Sequence, residues 1–358
     1  MHKVPLSLSA RVVARAAVNW MAGRPIVISF EVTDACTCWC RHCDHGGPRD
    51  VSRDLKPREF ARYVEALAPC VVQVSGGEPL LRADLLDIVR NIKAQTTLPY
   101  TILVSNWSLM TMERYTALRE AGVDQFSVSL DFPDERHDDF RRHPGLFAHL
   151  ERTVPPIAAL GHDDVVLNAC ITSANVGEIN NIADKAHEWG VNVSYSAYAP
   201  RRTGNQSYFL NTKEQLDTLR EEFDRLKERM KENGWIANSR TTIDRTRKYF
   251  EDGRMPRCKA GMRFLVVTSD GWLQPCSMQV KRFPLEDRAR MVETFTATNT
   301  CDQCYVSIRA YLDKSLGRLF LENLQHAVPH RGHGRHLVDR VSRIGRDGRD
   351  PESDHHSL

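Results

Sequence analysis

The sequence predicts an α/β fold: a partial (β/α)6 barrel followed by a small C-terminal domain that carries four cysteines. Three observations predict it. Strand-like and helix-like segments alternate six times between Ile26 and residue 235, and serial β-α units build a parallel sheet with helices outside. Six units are too few to close an eight-stranded barrel, so the barrel should stay open, with its active groups at the C-terminal strand ends. Beyond it, Cys258, Cys276, Cys301 and Cys304 fall in a separate region. The expected boundaries are a helical segment at 1–25, the barrel at 26–235, the cysteine-bearing domain at 236–326 and a tail at 327–358. The tail is rich in Gly, Arg, His and Asp and poor in apolar residues, which reads as disorder.

The strand candidates are Ile26–Thr33, Val71–Ser75, Tyr100–Ser105, Phe126–Asp131, Val165–Thr172 and Val191–Tyr198. Each is short, rich in Val, Ile, Ser and Tyr, and bounded by turn residues. The helix candidates between them are Pro57–Leu67, Ala83–Lys93, Met112–Ala121, Leu146–Leu160 and Glu178–Trp189. A sixth runs from Lys213 to Asn233, where Leu216, Leu219, Phe223, Leu226 and Met230 recur every three or four residues. Thr212 with Gln215 offers a capping box at its start, and Gly234 ends it. Before the barrel, Ala10 to Ala22 reads as a helix with Val13, Ala17, Trp20 and Met21 on one side. That side either packs on the barrel or makes a peripheral contact with a membrane surface or lipid.

The formal charge of +3 on 358 residues gives no ground for a nucleic-acid partner. No apolar run approaches the roughly 18 residues of a spanning helix, and no secretory signal pattern opens the chain. The expected compartment is the cytoplasm, where clustered cysteines bind metal or do redox chemistry rather than form disulfides. Eight of the ten cysteines are clustered: Cys36, Cys38, Cys40 and Cys43, then the C-terminal four. Cys70 and Cys170 stand alone, as buried small hydrophobes usually do.

The first group reads Glu31-Val-Thr-Asp-Ala-Cys36-Thr-Cys38-Trp-Cys40-Arg-His-Cys43 and directly follows the first strand. Cys36, Cys40 and Cys43 have the spacing C-x3-C-x2-C. Three thiolates in one loop can hold three irons of a cubane and leave the fourth open. A zinc site completed by His42, His45 or Cys38 is the competing reading. After the second strand comes Ser75-Gly76-Gly77-Glu78-Pro79, a turn whose glycines permit close backbone approach.

Together these two motifs resemble the radical S-adenosylmethionine (SAM) superfamily, and the similarity runs from Ile26 to Pro200. The resemblance implies a 4Fe–4S cluster whose open iron chelates SAM by its amine and carboxylate, with Gly76, Gly77 and Glu78 holding the amine. Asn106, Ser129 and Asp131 lie where the family contacts SAM or substrate. Asn168 on strand five and Tyr195 to Tyr198 on strand six would flank the adenosine, and His42 would pack beside the adenine. Cys38 departs from the pattern, as a spacer or as a thiol for ligand exchange or hydrogen-atom donation.

In the second group, Phe264–Thr268 and Trp272–Gln274 flank an Asp-Gly turn and read as a hairpin that draws Cys258 toward Cys276. Cys301 and Cys304 complete four thiolates, which alone suit zinc equally well. Beside a radical SAM core they resemble the SPASM and Twitch extensions, which implies one auxiliary 4Fe–4S cluster on Cys258, Cys276, Cys301 and Cys304.

The chemistry so implied is reductive cleavage of SAM to a 5′-deoxyadenosyl radical that abstracts hydrogen. The auxiliary cluster would carry electrons, and a flavodoxin- or ferredoxin-type protein would act as external one-electron reductant. The favoured substrate is a small molecule or lipid that is oxidised or rearranged. Peptide modification and a non-catalytic metal-binding scaffold are the alternatives. Arg201 and Arg202 after strand six, and Arg141 and Arg142 after strand four, are either cationic contacts for an anionic substrate group or solvated surface.

Overall fold

The computed structural model describes residues 6–94, 98–232, 234–315, 317–319 and 322. The expected tail at 327–358, with its histidines, lies outside the described residues. Strands β1 (Val27–Glu31), β2 (Val71–Ser75), β3 (Tyr100–Ser105), β4 (Gln125–Ser129), β5 (Val165–Ile171) and β6 (Asn192–Ala197) pair in parallel in sequence order. Helices α1 (Leu6–Met21), α2 (Pro57–Leu67), α3 (Leu85–Lys93), α4 (Met112–Ala121), α5 (Arg136–Arg141), α6 (Leu146–Ala158), α7 (Ile179–Glu188) and α8 (Lys213–Glu232) account for the expected helical segments and add α5. The α8 capping box forms as expected: Gln215 donates its backbone N–H to the Thr212 hydroxyl at 3.2 Å, and its side chain accepts from the Thr212 N–H at 3.3 Å.

The C-terminal region is less separate than the sequence implied. Its hairpin forms, as β7 (Phe264–Val267) against antiparallel β8 (Leu273–Gln274). But β7 also pairs in parallel with β1, with Val27 opposite Phe264 and Phe30 opposite Val267. The result is one eight-stranded sheet in the order β6-β5-β4-β3-β2-β1-β7-β8. The reason is the cost of an open edge: every residue of β1 is buried, and β7 supplies a wholly buried partner for its second row of N–H and C=O groups.

Alternation along the strands sorts two environments. Val72 and Val74, Leu103, Phe126 and Val128, Leu167 and Val193 face outward under the helices and form the main core. The inward set is largely polar and lines a chamber of about 420 Å³ with Gln73, Ser75, Gln125, Ser127, Asn168 and Ser194. Its base is bordered by Val12 and Val13 of α1 and by Ile308 and Tyr311 of a late helix.

Helix α1 packs on the barrel as expected through Trp20, with Val13 bordering the chamber, while Met21 of the expected side faces out. Val12, Ala16 and Trp20 meet Ile26, Cys70 and Phe264, and the Arg263 guanidinium lies 3.7 Å over the Trp20 ring. Met21 stays 77% exposed and Val18 50%. Among the described residues no helix is long and apolar enough to cross a membrane. A helix the sequence reading passed over, α9 (Arg240–Asp252), follows α8. Ser239 caps it by accepting from the Thr242 N–H, and Ile243, Tyr249 and Phe250 are buried along it. Each such side chain contributes roughly 1.5–3 kcal/mol of burial at most. α10 (Arg288–Met291) and α11 (Ser307–Leu312) complete the described helices.

Candidate active site

The cysteine loop leaves the end of β1 and is fixed by backbone bonds on three sides. Cys36 N–H donates to the Gly47 carbonyl at 3.1 Å, while Trp39 and Arg41 donate to the carbonyls of Arg141 and Phe140 at 3.1 and 3.0 Å. From the third side comes the Gly-Gly-Glu turn. Gly77 N–H donates to Thr33 and Glu78 N–H to Ala35, both at 2.8 Å. A Cβ on Gly77 would fall 2.1 Å from the Ala35 oxygen, and one on Gly76, at φ +125°, 2.3 Å from the Thr33 oxygen. The two glycines are therefore required by close packing of the turn against the cysteine loop.

Glu78 is committed to the chain itself. It is fully buried, and its carboxylate accepts from the Leu80 N–H at 3.0 Å, the Ser105 hydroxyl at 2.8 Å and the Asn106 N–H at 2.7 Å. Burial pushes its pKa up to about 7 against these donors. These three bonds take two acceptor positions of Oε1 and one of Oε2, so the chain itself holds the carboxylate in place. Asn106 reaches the cysteine loop. Its Nδ2 donates to the Thr37 hydroxyl at 2.9 Å and lies 3.7 Å from the Cys36 sulfur.

The sulfurs of the loop are met by N–H donors. The Cys38 N–H points at Cys36 Sγ at 3.5 Å, and Arg141 Nη1 lies 3.9 Å from Cys40 Sγ. Cys38 is 1% exposed and sits between the other two, sharing its S–H with both. That sharing lowers the Cys36 thiol to about 7 and lowers Cys40, with Arg141 assisting. Burial pushes Cys43 up to about 11. N–H groups aimed at sulfur favour anionic thiolate ligands. Among the described residues, the trio of ligand atoms mutually within 4.8 Å is Glu31, Asp34 and His45, and no cysteine trio reaches that spacing. A zinc tetrahedron, with Zn–S near 2.3 Å, sets sulfurs about 3.8 Å apart. Cys36, Cys40 and Cys43 do not stand together at that spacing.

Beneath the loop lies a buried charged set. Arg141 donates to one Asp131 oxygen through Nε at 2.8 Å and Nη2 at 2.7 Å, while the other oxygen accepts from the Cys170 N–H at 3.0 Å. Burial raises the Asp131 carboxyl, but Arg141, His42, His137 and the Cys170 N–H together outweigh it and hold the group below its usual value. His137 accepts the Asp131 N–H on Nδ1 at 3.1 Å, and its Nε2 is buried without a partner. His42 stacks on Phe140 at 4.8 Å, so one ring face is taken, and its Nδ1 is likewise unpartnered. Burial lowers both imidazoles, His42 to about 4 and His137 to about 3.

The remaining expected site residues divide. Ser129 ends β4, in register with Asn168 of β5. Asn168 lines the chamber, and its Oδ1 is buried without a partner. Tyr195 borders the chamber, but its hydroxyl points the other way and donates to the Ile179 carbonyl under α7 at 2.7 Å. Strand alternation, which sets Asn192, Ser194 and Ser196 inward, directs its side chain outward. Arg202 is half-buried and engaged, while Arg201 is exposed but also makes contacts. Arg202 ties Glu31, Asp44 and His45 together at 3.4, 2.7 and 2.7 Å, and Arg201 reaches the Met278 carbonyl at 3.1 Å and the Gln303 side chain. Cys170 was read as an isolated core residue. It is an inward position of β5 beside Asp131, Cys43 and Ser196, and only the pairing register reveals this.

The C-terminal thiols converge. Cys258, Cys276 and Cys304 are buried and Cys301 is half-buried, and Cys276 feels the charge of all three others. Asn299 ties two segments by donating to the Cys258 carbonyl at 3.2 Å and accepting the Cys301 N–H at 3.0 Å. Burial pushes Cys258 up to about 11 and raises Cys276 and Cys304 as well. The three buried thiols, held neutral by burial, gain little here. Deprotonation onto a metal removes that penalty.

Comparison with known proteins then places the loop and its turn. The radical SAM superfamily profile matches residues 30–186. Residues 30–186 of the chain are thus similar to the radical SAM superfamily. It is 32% identical over 196 residues to an AdoMet-dependent heme synthase of Methanosarcina barkeri, covering 52% of this chain and 54% of that one. The match thus spans about half of that relative's length. It is 25% identical over 278 residues to a probable GTP 3′,8-cyclase of Pyrococcus horikoshii, covering 72% and 85%. Its fold superposes on Streptococcus suis SuiB bound to S-adenosylmethionine with a TM-score of 0.60 at 16% identity, over 76% of this chain and 66% of SuiB.

Proposed function

We propose that this protein is a radical SAM enzyme that abstracts hydrogen from a small organic substrate held in the barrel lumen, with Cys36, Cys40 and Cys43 ligating its SAM-binding 4Fe–4S cluster. The observation that carries the reading is a three-cysteine loop clamped by Gly76 and Gly77, with N–H donors of Asn106, Cys38 and Arg141 directed at the Cys36 and Cys40 sulfurs. When bound, the cluster passes one electron from an external reductant to SAM, yielding methionine and a 5′-deoxyadenosyl radical that takes a hydrogen atom. The chain's own residues do the rest. Arg141 offers a cation to the SAM carboxylate, and the Gly76 and Gly77 carbonyls offer acceptors to its ammonium. The barrel wall excludes water from the radical.

The lumen narrows the substrate. Among the described residues that line it, the cation is Lys314, which is paired with Glu322 at 2.6 Å. A nucleoside triphosphate such as the GTP of the cyclase relative needs several cations to hold its phosphates. The amides and hydroxyls of Gln73, Gln125, Asn168 and Ser127 instead suit an uncharged substrate, consistent with oxidation or rearrangement of a neutral small molecule or lipid-derived group. The C-terminal thiols would hold an auxiliary 4Fe–4S cluster that carries electrons.

The test is anaerobic reconstitution with metal analysis. About eight irons per chain are expected for two cubanes. Replacing Cys36, Cys40 and Cys43 with Ala should remove about half the iron and all 5′-deoxyadenosine formation. Replacing Cys301 and Cys304 should remove the other half and spare SAM cleavage. A triple variant that still makes 5′-deoxyadenosine would refute the assignment.

A further inference from the structure

Arg309 on α11 is 1% exposed, a rare state for an arginine. Its two terminal nitrogens are spent on the backbone that carries the C-terminal thiols. Nη1 donates to the Cys304 carbonyl at 2.7 Å, and Nη2 donates to the carbonyls of Met255 at 2.5 Å and Pro256 at 2.8 Å, just ahead of Cys258. The third nitrogen, Nε, is buried and has no partner. The carboxylate one turn away, Asp313, stands 3.8 Å off and is held by Arg245 at 2.8 Å. The guanidinium is therefore desolvated and lacks a close anion of its own.

A buried cation in that state needs a counter-charge. The groups that can supply it are the thiols it borders. Arg309 is the leading favourable charge on both Cys258 and Cys304, and it also touches the Cys304 side chain. Four thiolates around a metal centre carry a net negative charge in the same volume, so each side supplies what the other lacks. The buried guanidinium without a close anion and its orphaned Nε–H both fit an anionic tetrathiolate centre.

We propose that Arg309 is the built-in counter-charge of the C-terminal cysteine centre, with Nε–H directed at its sulfur shell, and that it sets the reduction potential of that centre. The proposal rests on the auxiliary-cluster reading above. Reduction adds one negative charge, which a fixed adjacent cation favours, so Arg309 raises the potential and keeps the centre reducible by the external donor. Arg309 acts on the centre through charge and hydrogen bonding; it is a positioning residue and touches no substrate.

The experiment uses the full chain with Cys36, Cys40 and Cys43 replaced by Ala, reconstituted anaerobically with iron and sulfide, so that one centre remains. Metal analysis comes first, and about four irons per chain are expected. Zinc or no metal at this step would overturn the cluster reading, and the proposal with it, before any potential is measured. With iron present, a dye-mediated redox titration followed by electron paramagnetic resonance gives the midpoint. Arg309→Met should lower the reduction equilibrium constant at least tenfold, about 59 mV for a one-electron couple. Arg309→Lys, which keeps the charge, should shift it less. Asp313→Asn, which removes the opposing carboxylate, should shift it upward. Iron retained with all three midpoints unchanged would overturn the role of Arg309 while leaving the cluster standing. If Arg309→Met does not fold, the sign of the Asp313→Asn shift decides, and a downward or absent shift refutes the proposal.

Discussion

Separating Arg141 from Asp131 should be among the costliest changes available near the active site, and the cost should be unequal between the partners. Asp131 has no exposed surface and Arg141 is 8% exposed. Two N–H groups of Arg141 meet one Asp131 oxygen at 2.7 and 2.8 Å. Two unit charges about 4 Å apart at an effective dielectric near 20 attract by about 4 kcal/mol, and removing one partner of a buried pair typically costs 3–5 kcal/mol. Arg141→Met leaves the Asp131 carboxylate with only the Cys170 N–H, beside two imidazoles that burial keeps neutral. It should lose about 3–5 kcal/mol. Asp131→Asn leaves the guanidinium with a second anion, the Cys40 thiolate 3.9 Å away, and should lose about half as much. The double variant removes both charges and should recover about 2 kcal/mol relative to the sum of the singles. Urea unfolding of the apoprotein under argon, followed by circular dichroism, measures all four corners of the cycle. Additivity within about 0.5 kcal/mol, or an Asp131→Asn loss larger than that of Arg141→Met, would show that the pair is not the isolated buried couple the geometry depicts.

Two further outcomes follow from the same region. Gly77→Ala should cost the first cluster while sparing the second, because its Cβ would fall 2.1 Å from the Ala35 oxygen and a backbone atom cannot swing aside; iron near eight per chain in this variant would contradict the clamp. His42 and His137 have pKa values depressed to about 4 and about 3, against 6.5 when unfolded, so the stability they confer is complete above pH 6.5 and is lost as pH falls toward 4. Each contributes a slope of about 1.4 kcal/mol per pH unit in that window. His137→Gln should remove about half of the combined slope in apoprotein unfolding at pH 4.5, 5.5 and 6.5, and an unchanged slope would mean that His137 is not held neutral.

The barrel was legible because its signals are local. Short Val- and Ile-rich runs between amphipathic segments define six β-α units, and the Thr212–Gln215 capping box and Gly234 punctuate α8. The cysteine loop and the Gly-Gly-Glu turn were legible for the same reason, since each is a contiguous motif at a strand end. Helix α9 was missed although its signals are present. Ser239, Ile243, Tyr249, Phe250 and Gly253 spell a cap, a buried face and a stop, but the charged residues interleaved among them weaken the pattern. The donors that hold the Glu78 carboxylate were not legible, because sequence adjacency to glycines says nothing about Ser105 and Asn106, which arrive from the next strand.

The order of the polypeptide by itself determined which residues are strands, which loop carries the thiols, and which family's chemistry that loop resembles. These follow from periodicity and spacing within some twenty residues. Tertiary structure decided the rest: that β7 closes onto β1, that the Tyr195 hydroxyl faces out while Cys170 faces in, that Arg202 bridges the cysteine loop to the end of β6, and that Arg309 lies among the C-terminal thiols. The physical reason is common to all four. A side chain's electrostatic partners are fixed by strand register and by packing between segments far apart in the chain, and burial makes a charge take whichever partner that packing brings within reach.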